Sequence, residues 1–156
     1  MAEKVYNVLF LCTGNSARSV MAESILNALG KGRFRAFSAG SCPAGKINPF
    51  TVELLRNKQF PVDHLRSKSW DEFARPGAPE MDVIVTVCDQ AAGETCPVWP
   101  GRPATAHWGF EDPARFTGPD AEKRRLFEQI FEEIADRIRL FLALPPDDTG
   151  SEQAAG

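Results

Sequence analysis

The sequence predicts a single α/β domain: a doubly wound, four-stranded parallel sheet flanked by helices. Two apolar runs of strand length, residues 5–11 and 81–88, alternate along the chain with segments of helical periodicity. The second run is rich in β-branched residues, which is typical of a central strand covered on both faces. A chain of 156 residues can bury one core without disulfide or metal staples.

The composition excludes several broad classes of protein. The net charge of -3 gives no basic excess for nucleic acid binding, and no apolar run approaches the length needed to span a membrane. Residues 1–4 are charged and lead directly into a strand, unlike a secretory signal peptide. We therefore expect a cytoplasmic protein.

The first half of the chain alternates strand and helix after residues 5–11. A helix is expected over residues 20–30, where Gly30 ends it, and a half-buried strand over residues 33–40. Asn48 as N-cap and Pro49 at the first helical position predict a second helix through residue 58.

The second half completes the sheet and covers it. Residues 61–68 are predicted to form a loop or a short edge strand, and Ser69 is expected to cap a short helix over residues 70–74. A strand over residues 104–108 and a long amphipathic helix over residues 120–144 follow. We expect the domain to cover residues 1–144 and residues 145–156 to form a disordered tail.

A small polar loop, residues 12–19, joins the first strand to the first helix. This arrangement aims backbone N–H groups and the positive end of a helix dipole at one point, which suits an oxyanion. The helix N-terminus and Arg18 should both lower the pKa of the Cys12 thiol, so Cys12 is expected to be a nucleophile and Arg18 a bidentate anion ligand. Ser19 is either a donor to the Cys12 thiolate or a plain first-turn serine. The expected oxyanion-binding residues are Thr13, Gly14, Asn15, Ser16, Ala17, Arg18 and Ser19.

Asp112 follows the last predicted strand and precedes Pro113. Asp-Pro is common in turns, but a carboxyl group here could also protonate the oxygen that leaves when a thiolate attacks a phosphoryl-like group. The residues alone leave both interpretations open, and Glu111 is the alternative acid.

The remaining cysteines require an interpretation that fits a reducing compartment. No Cys-x2-Cys pair is present, so a structural zinc site is disfavoured and no metal is expected. Cys88 ends a central strand and could be a buried core residue, whereas Cys96 lies in a polar loop at the same edge of the sheet as Cys12. These thiols favour a relay of disulfide exchange, with Cys42 as a bystander.

Residues 12–19, Cys-Thr-Gly-Asn-Ser-Ala-Arg-Ser, resemble the oxyanion loop of low-molecular-weight protein tyrosine phosphatases and of the arsenate reductases that share their fold. Residues 86–97 and 107–113 resemble the arsenate reductase branch closely. The resemblance extends from residue 5 to the final helix.

The resemblance implies reduction of arsenate to arsenite by three cysteines. Cys12 attacks arsenate, Arg18 and the loop amides hold its oxygens, and Asp112 protonates the departing oxygen. Cys88 then attacks the Cys12–arsenic adduct, and Cys96 carries the resulting disulfide outward. No cofactor would be bound. An external thiol carrier would recycle the enzyme as a transient partner, and phosphate or sulfate would compete with arsenate.

This chain departs from the family pattern in three places. Ala17 stands where several relatives carry a second loop cysteine. The Cys88–Cys96 interval is one residue longer than in thioredoxin-coupled relatives, so thioredoxin, glutathione with glutaredoxin, and mycothiol all remain possible reductants. Some relatives hold a potassium ion near the positions of Asn15 and Glu23, but this chain lacks the expected aspartate near residues 67–69.

Two alternative functions keep the same loop. A phosphotyrosine phosphatase would need no relay, but members of that branch place tyrosines after the Asp-Pro pair. Here Phe116 follows, and the one tyrosine of the sequence is Tyr6. A non-catalytic anion or redox sensor would have no use for a proton donor at Asp112.

Overall fold

A computed structural model describes residues 5–87 and 104–143. Within these residues the chain forms four strands, three α-helices and two short 3-10 helices, at Trp70–Phe73 and Pro113–Arg115. In chain order, the strands and α-helices are β1 (Tyr6–Cys12), α1 (Arg18–Leu29), β2 (Phe34–Gly40), α2 (Pro49–Asn57), β3 (Val83–Thr86), β4 (Ala104–His107) and α3 (Asp120–Leu142).

The four strands form one parallel sheet in the order β2-β1-β3-β4, which confirms the predicted fold class. Cys12 pairs with Gly40 at the end of β1, and Thr86 pairs with His107 at the end of β3. The carboxyl ends of all four strands therefore meet at one edge, where ligands bind in sheets of this kind.

The two faces of the sheet are covered differently in the described residues. The β1 side chains on one face of the sheet, including Val8 and Phe10, pack with the apolar stripes of the three α-helices in the larger core. The opposite set, including Leu9 and Leu11, packs with Trp70 and its 3-10 helix in a smaller core. The larger core therefore holds α1, and with it the residue 12–19 loop, against the sheet.

Local capping signals fixed the starts of two elements as predicted. The Asn48 side chain accepts a hydrogen bond from the Phe50 N–H, and the Ser69 side chain accepts one from the Asp71 N–H. Between these elements, residues 61–68 form a loop rather than an edge strand, and a single bridge joins Ser69 to Gly40.

Three sequence predictions fall on residues outside the described ranges: Cys88, Cys96 and the tail from residue 145. Over the described residues, no helix is both long enough and apolar enough to cross a membrane.

The buried stripe of α3 leads to a test of the core. Ile134 is fully buried, whereas Leu140 on the same helix is 64% exposed. Ile134→Ala should lower the free energy of unfolding by about 2–5 kcal/mol because it leaves a cavity. Leu140→Ala, the matched control, should change it by no more than about 0.5 kcal/mol. Urea unfolding measures both, and equal losses would contradict the packing of α3 described above.

Candidate active site

A cavity of about 210 Å³ opens at the carboxyl end of β1. It is lined by Cys12, Thr13, Gly14, Ser16, Ala17, Arg18 and Asp112. All of these were predicted site residues, and they lie on two segments about one hundred residues apart in sequence. The fold therefore brings the predicted nucleophile, anion ligand and acid to one small opening.

Hydrogen bonds from outside turn the loop carbonyls away from this cavity. The carbonyl oxygens of Cys12, Thr13 and Gly14 accept from the N–H groups of Ser41, Cys42 and Ala44 at 2.9–3.2 Å, and the Ser16 carbonyl accepts from the Asn48 N–H and the Thr51 hydroxyl. In a trans peptide the carbonyl and the following N–H point in opposite directions. The loop N–H groups are consequently directed inward, as an oxyanion cradle requires.

Gly40 allows the outer segment to approach the loop this closely. A Cβ atom at this position would lie 2.5 Å from the Thr13 carbonyl oxygen and 3.1 Å from the Asn15 backbone nitrogen. Any side chain would therefore push β2 away from the loop.

Asn15 is the centre of a buried hydrogen-bond network beneath the cavity. Its side-chain oxygen accepts from the Lys68 N–H at 2.9 Å, and its amide nitrogen donates to Ser19 Oγ at 2.8 Å and Ser38 Oγ at 3.0 Å. Because a backbone N–H can only donate, Lys68 fixes which end of the amide faces the two serines. Ser38 in turn donates to Glu23 Oε1 at 2.5 Å.

The Cys12 sulfur lies at the other end of this network. Ser19 Oγ is 2.9 Å from Cys12 Sγ, and the Asn15 N–H donates to the sulfur at 3.2 Å. Since Ser19 already accepts from Asn15, its own proton is available to the sulfur. Both contacts favour the thiolate over the thiol.

Arg18 and Asp112 form the far wall of the cavity. Arg18 is the first residue of α1, donates to the Phe110 carbonyl at 3.1 Å and forms an ion pair with Asp112 Oδ2 at 3.3 Å. Asp112 Oδ1 accepts from the Ala114 N–H at 3.0 Å, which caps the 3-10 helix at Pro113–Arg115. Asp112 therefore caps a turn and also lines the cavity, while its role as the acid stays a prediction.

The structure separates some sequence candidates from this site and adds others. Glu111 is exposed and does not line the cavity, and Cys42 is an exposed free thiol held to the loop by its backbone. Ser38 and Lys68 were not predicted, since each contacts Asn15 across 23 or more residues of sequence. One sequence signal could have indicated Ser38: it lies near the end of the strand predicted over residues 33–40, at the edge of the sheet where the residue 12–19 loop begins. Within residues 5–87 and 104–143, no group of three or more His, Cys, Asp and Glu side chains could hold a metal ion.

Comparison with known proteins extends over nearly the whole chain. The family described as low molecular weight phosphotyrosine protein phosphatase matches residues 7–149. An arsenate reductase of Oceanobacillus iheyensis is 35% identical over 141 residues, covering 90% of this chain and 96% of that protein.

Solved structures of both branches resemble the chain to a similar degree. A thioredoxin-dependent arsenate reductase of Corynebacterium glutamicum gives a TM-score of 0.60 at 26% identity over 89% of this chain, which spans 61% of that chain. A low molecular weight protein tyrosine phosphatase from T. tengcongensis gives a TM-score of 0.63 at 26% identity over 86% of this chain and 98% of that chain. These two similarities establish the fold, and the TM-scores of this pair do not choose between the branches.

The contact between Ser19 and Cys12 gives a prediction with a matched control on the same helix. Ser19→Ala removes a hydrogen bond to the thiolate, so the pH midpoint of Cys12 alkylation by iodoacetamide should rise by about one pH unit. Ser24, also on α1, is buried and its hydroxyl has no partner among the described residues. Ser24→Ala should leave the midpoint unchanged, and an equal effect of both changes would mean that Ser19 acts only through packing.

Proposed function

The chain belongs to the low molecular weight phosphotyrosine protein phosphatase family, and we propose that within this family it reduces arsenate to arsenite through thiol chemistry at Cys12. The observation that carries this proposal is the cavity in which Cys12, Arg18 and Asp112 meet. Relatives named arsenate reductase support the choice of reaction, including one from Bacillus subtilis that is 35% identical over 86% of this chain.

The first step is attack of the Cys12 thiolate on arsenic(V). The inward N–H groups of the loop and the Arg18 guanidinium hold the arsenate oxygens as negative charge redistributes. A bound arsenate competes with Asp112 for Arg18. It also brings negative charge beside the Asp112 carboxyl group, and the repulsion between the two anions favours a proton held between them. Asp112 then delivers that proton to the departing oxygen, so that water leaves as the S–As bond forms.

The second step is the two-electron reduction. The Cys88 thiolate attacks Cys12 Sγ, an S–S bond forms, and the electron pair of the S–As bond passes to arsenic, which leaves as arsenite. Cys96 then attacks Cys88 Sγ and expels the Cys12 thiolate, giving a Cys88–Cys96 disulfide. Thioredoxin, or glutathione with glutaredoxin, or else mycothiol, supplies the two electrons that restore the thiols.

The phosphatase alternative has less support from the residues around the cavity. Tyr6 lies on β1, where its ring packs 5.8 Å from the ring of Phe34, in the sheet rather than at the site. Phe116 follows the 3-10 helix after Asp112 and is half-buried, but it is not among the residues that line the cavity, so stacking of an aryl substrate on its ring stays a prediction. A residual aryl phosphatase activity is consistent with this arrangement.

A thiol relay works where the surroundings keep thiols reduced, so we place the protein in the cytoplasm. Phosphate and sulfate, which share the tetrahedral shape of arsenate, are expected to compete for the cavity.

The four cysteines provide a direct test of the relay. Arsenate-dependent NADPH oxidation is followed with thioredoxin and its reductase, and separately with glutaredoxin, glutathione and glutathione reductase. Cys12→Ser and Cys88→Ser should abolish turnover, and Cys96→Ser should abolish multiple turnovers while leaving one equivalent of arsenite per enzyme. Cys42→Ser is the matched control, because this exposed thiol lies outside the relay and should retain full activity.

Two outcomes would contradict the proposal. Full multiple turnover by Cys88→Ser would exclude the relay. Rapid hydrolysis of an aryl phosphate by an enzyme that leaves arsenate untouched would favour the phosphatase.

The choice between the two neighbouring acids gives a further prediction. Asp112 lines the cavity and contacts Arg18, whereas Glu111 is exposed. Asp112→Asn should lower kcat for arsenate reduction by about 10²–10⁴-fold, because it removes the general acid. Glu111→Gln should reduce kcat for arsenate reduction by no more than about twofold, because this carboxyl group is exposed and does not line the cavity. A larger loss for Glu111→Gln would reassign the acid.

A further inference from the structure

Glu23 is a buried carboxyl group that the reaction itself does not use. Its side chain lies beneath the active-site loop, 8% exposed, and Ser38 donates to it. Burial raises the pKa of Glu23, while the Ser38 hydrogen bond and then the positive charge of Lys68 act in the opposite direction. A carboxyl group buried in this way stays ionised only if a compensating positive charge lies nearby.

A potassium ion, which the family resemblance suggested near Asn15 and Glu23, does not fit the residues of this chain. The Asn15 side-chain oxygen already accepts from the Lys68 N–H, and Ser38 Oγ accepts from Asn15 and donates to Glu23. These oxygens are engaged with one another, so they are not a set of free ligands for a cation.

The basic residues whose charges lower the pKa of Glu23 all come from residues 64–68, and their effects decrease in the order Lys68, His64, Arg66. Arg66 is already neutralised by two hydrogen bonds to Glu72, at 2.6 and 2.9 Å, and His64 is exposed. Lys68 is half-buried and donates from Nζ to the Arg66 carbonyl at 3.2 Å, so it acts on Glu23 by Coulomb attraction. Burial lowers the pKa of Lys68, and the charge of Glu23 opposes that shift.

We infer that Lys68 is a positioning residue whose ammonium group supplies the charge that Glu23 requires, so that the active-site network of this chain works without potassium. With Glu23 ionised, Ser38 must donate to it, both amide hydrogens of Asn15 go to the two serines, and the proton of Ser19 is left for Cys12. The charge of Lys68 thus acts on the nucleophile through four hydrogen-bonded side chains. The inference rests on the proposed role of Cys12 as nucleophile.

Substitution of Lys68 can test this role without disturbing the backbone. The N–H and carbonyl of Lys68 bond to the Asn15 side chain and the Gly40 N–H, and neither bond involves the lysine side chain. Lys68→Met removes the charge and keeps most of the length, Lys68→Arg keeps the charge, and Lys46→Met removes the same charge from an exposed position. Each protein is measured in KCl and in tetramethylammonium chloride at equal ionic strength, for its melting temperature and for the pH midpoint of Cys12 alkylation.

Wild type, Lys68→Arg and Lys46→Met should give the same values in both salts. Lys68→Met should melt about 2–4 °C lower than Lys46→Met in either salt, because the engaged oxygens around Glu23 leave no site where potassium could replace the lysine charge. Its alkylation midpoint should rise by about one pH unit, as expected when the sulfur loses the hydroxyl proton of Ser19. Stabilisation of the wild type by KCl, or a Lys68→Met protein indistinguishable from Lys46→Met, would overturn the inference. Neither measurement uses arsenate, so a failure of the proposed reductase activity would remain a separate result.

Discussion

The active site depends on the hydrogen bonds of a single buried amide, that of Asn15. Its backbone adopts a left-handed conformation with φ of 48°, which is unfavourable for most residues and more accessible to asparagine. Its side chain makes three hydrogen bonds, which tie the loop to α1, β2 and the segment before Ser69. The conformation that directs the loop N–H groups inward is therefore maintained by contacts on the far side of the loop from the cavity.

Charges around the loop are arranged as two opposed pairs. On the cavity side, Arg18 contacts Asp112, and on the buried side, Lys68 attracts Glu23. The first pair lies at the surface of a cavity, and in the proposed reaction it opens when the anion replaces the carboxylate as the partner of Arg18. The second pair lies beneath the loop, and in our inference it fixes the direction in which the hydrogen bonds of the Asn15 network are donated. The site can thus be rigid under the nucleophile and adaptable around the substrate.

The sequence predicted those parts of the structure that depend on local signals. Asn48 and Ser69 act as caps, Gly30 follows the end of α1, and the Cys12 loop joins β1 to α1, all through residues a few positions apart. The contacts of Asn15 with Lys68, or of Arg18 with Phe110, join residues 53 and 92 positions apart. No periodicity or cap carries information at that separation, so the network that supports the nucleophile became visible only in the fold. The roles of Cys88 and Cys96 remain predictions.

A tetrahedral oxyanion cradle cannot by itself distinguish phosphate from arsenate, because the two anions have the same shape and charge. The reaction must therefore diverge after the attack of Cys12. A thiophosphate adduct offers only a phosphorus centre for water to attack, whereas arsenic accepts the electron pair of the S–As bond when a second thiol attacks the sulfur. This is consistent with a shared fold for a reductase and a phosphatase that match the chain at TM-scores of 0.60 and 0.63. Selectivity between the two chemistries then depends on a thiol that reaches Cys12 before water resolves the adduct, not on a different cradle.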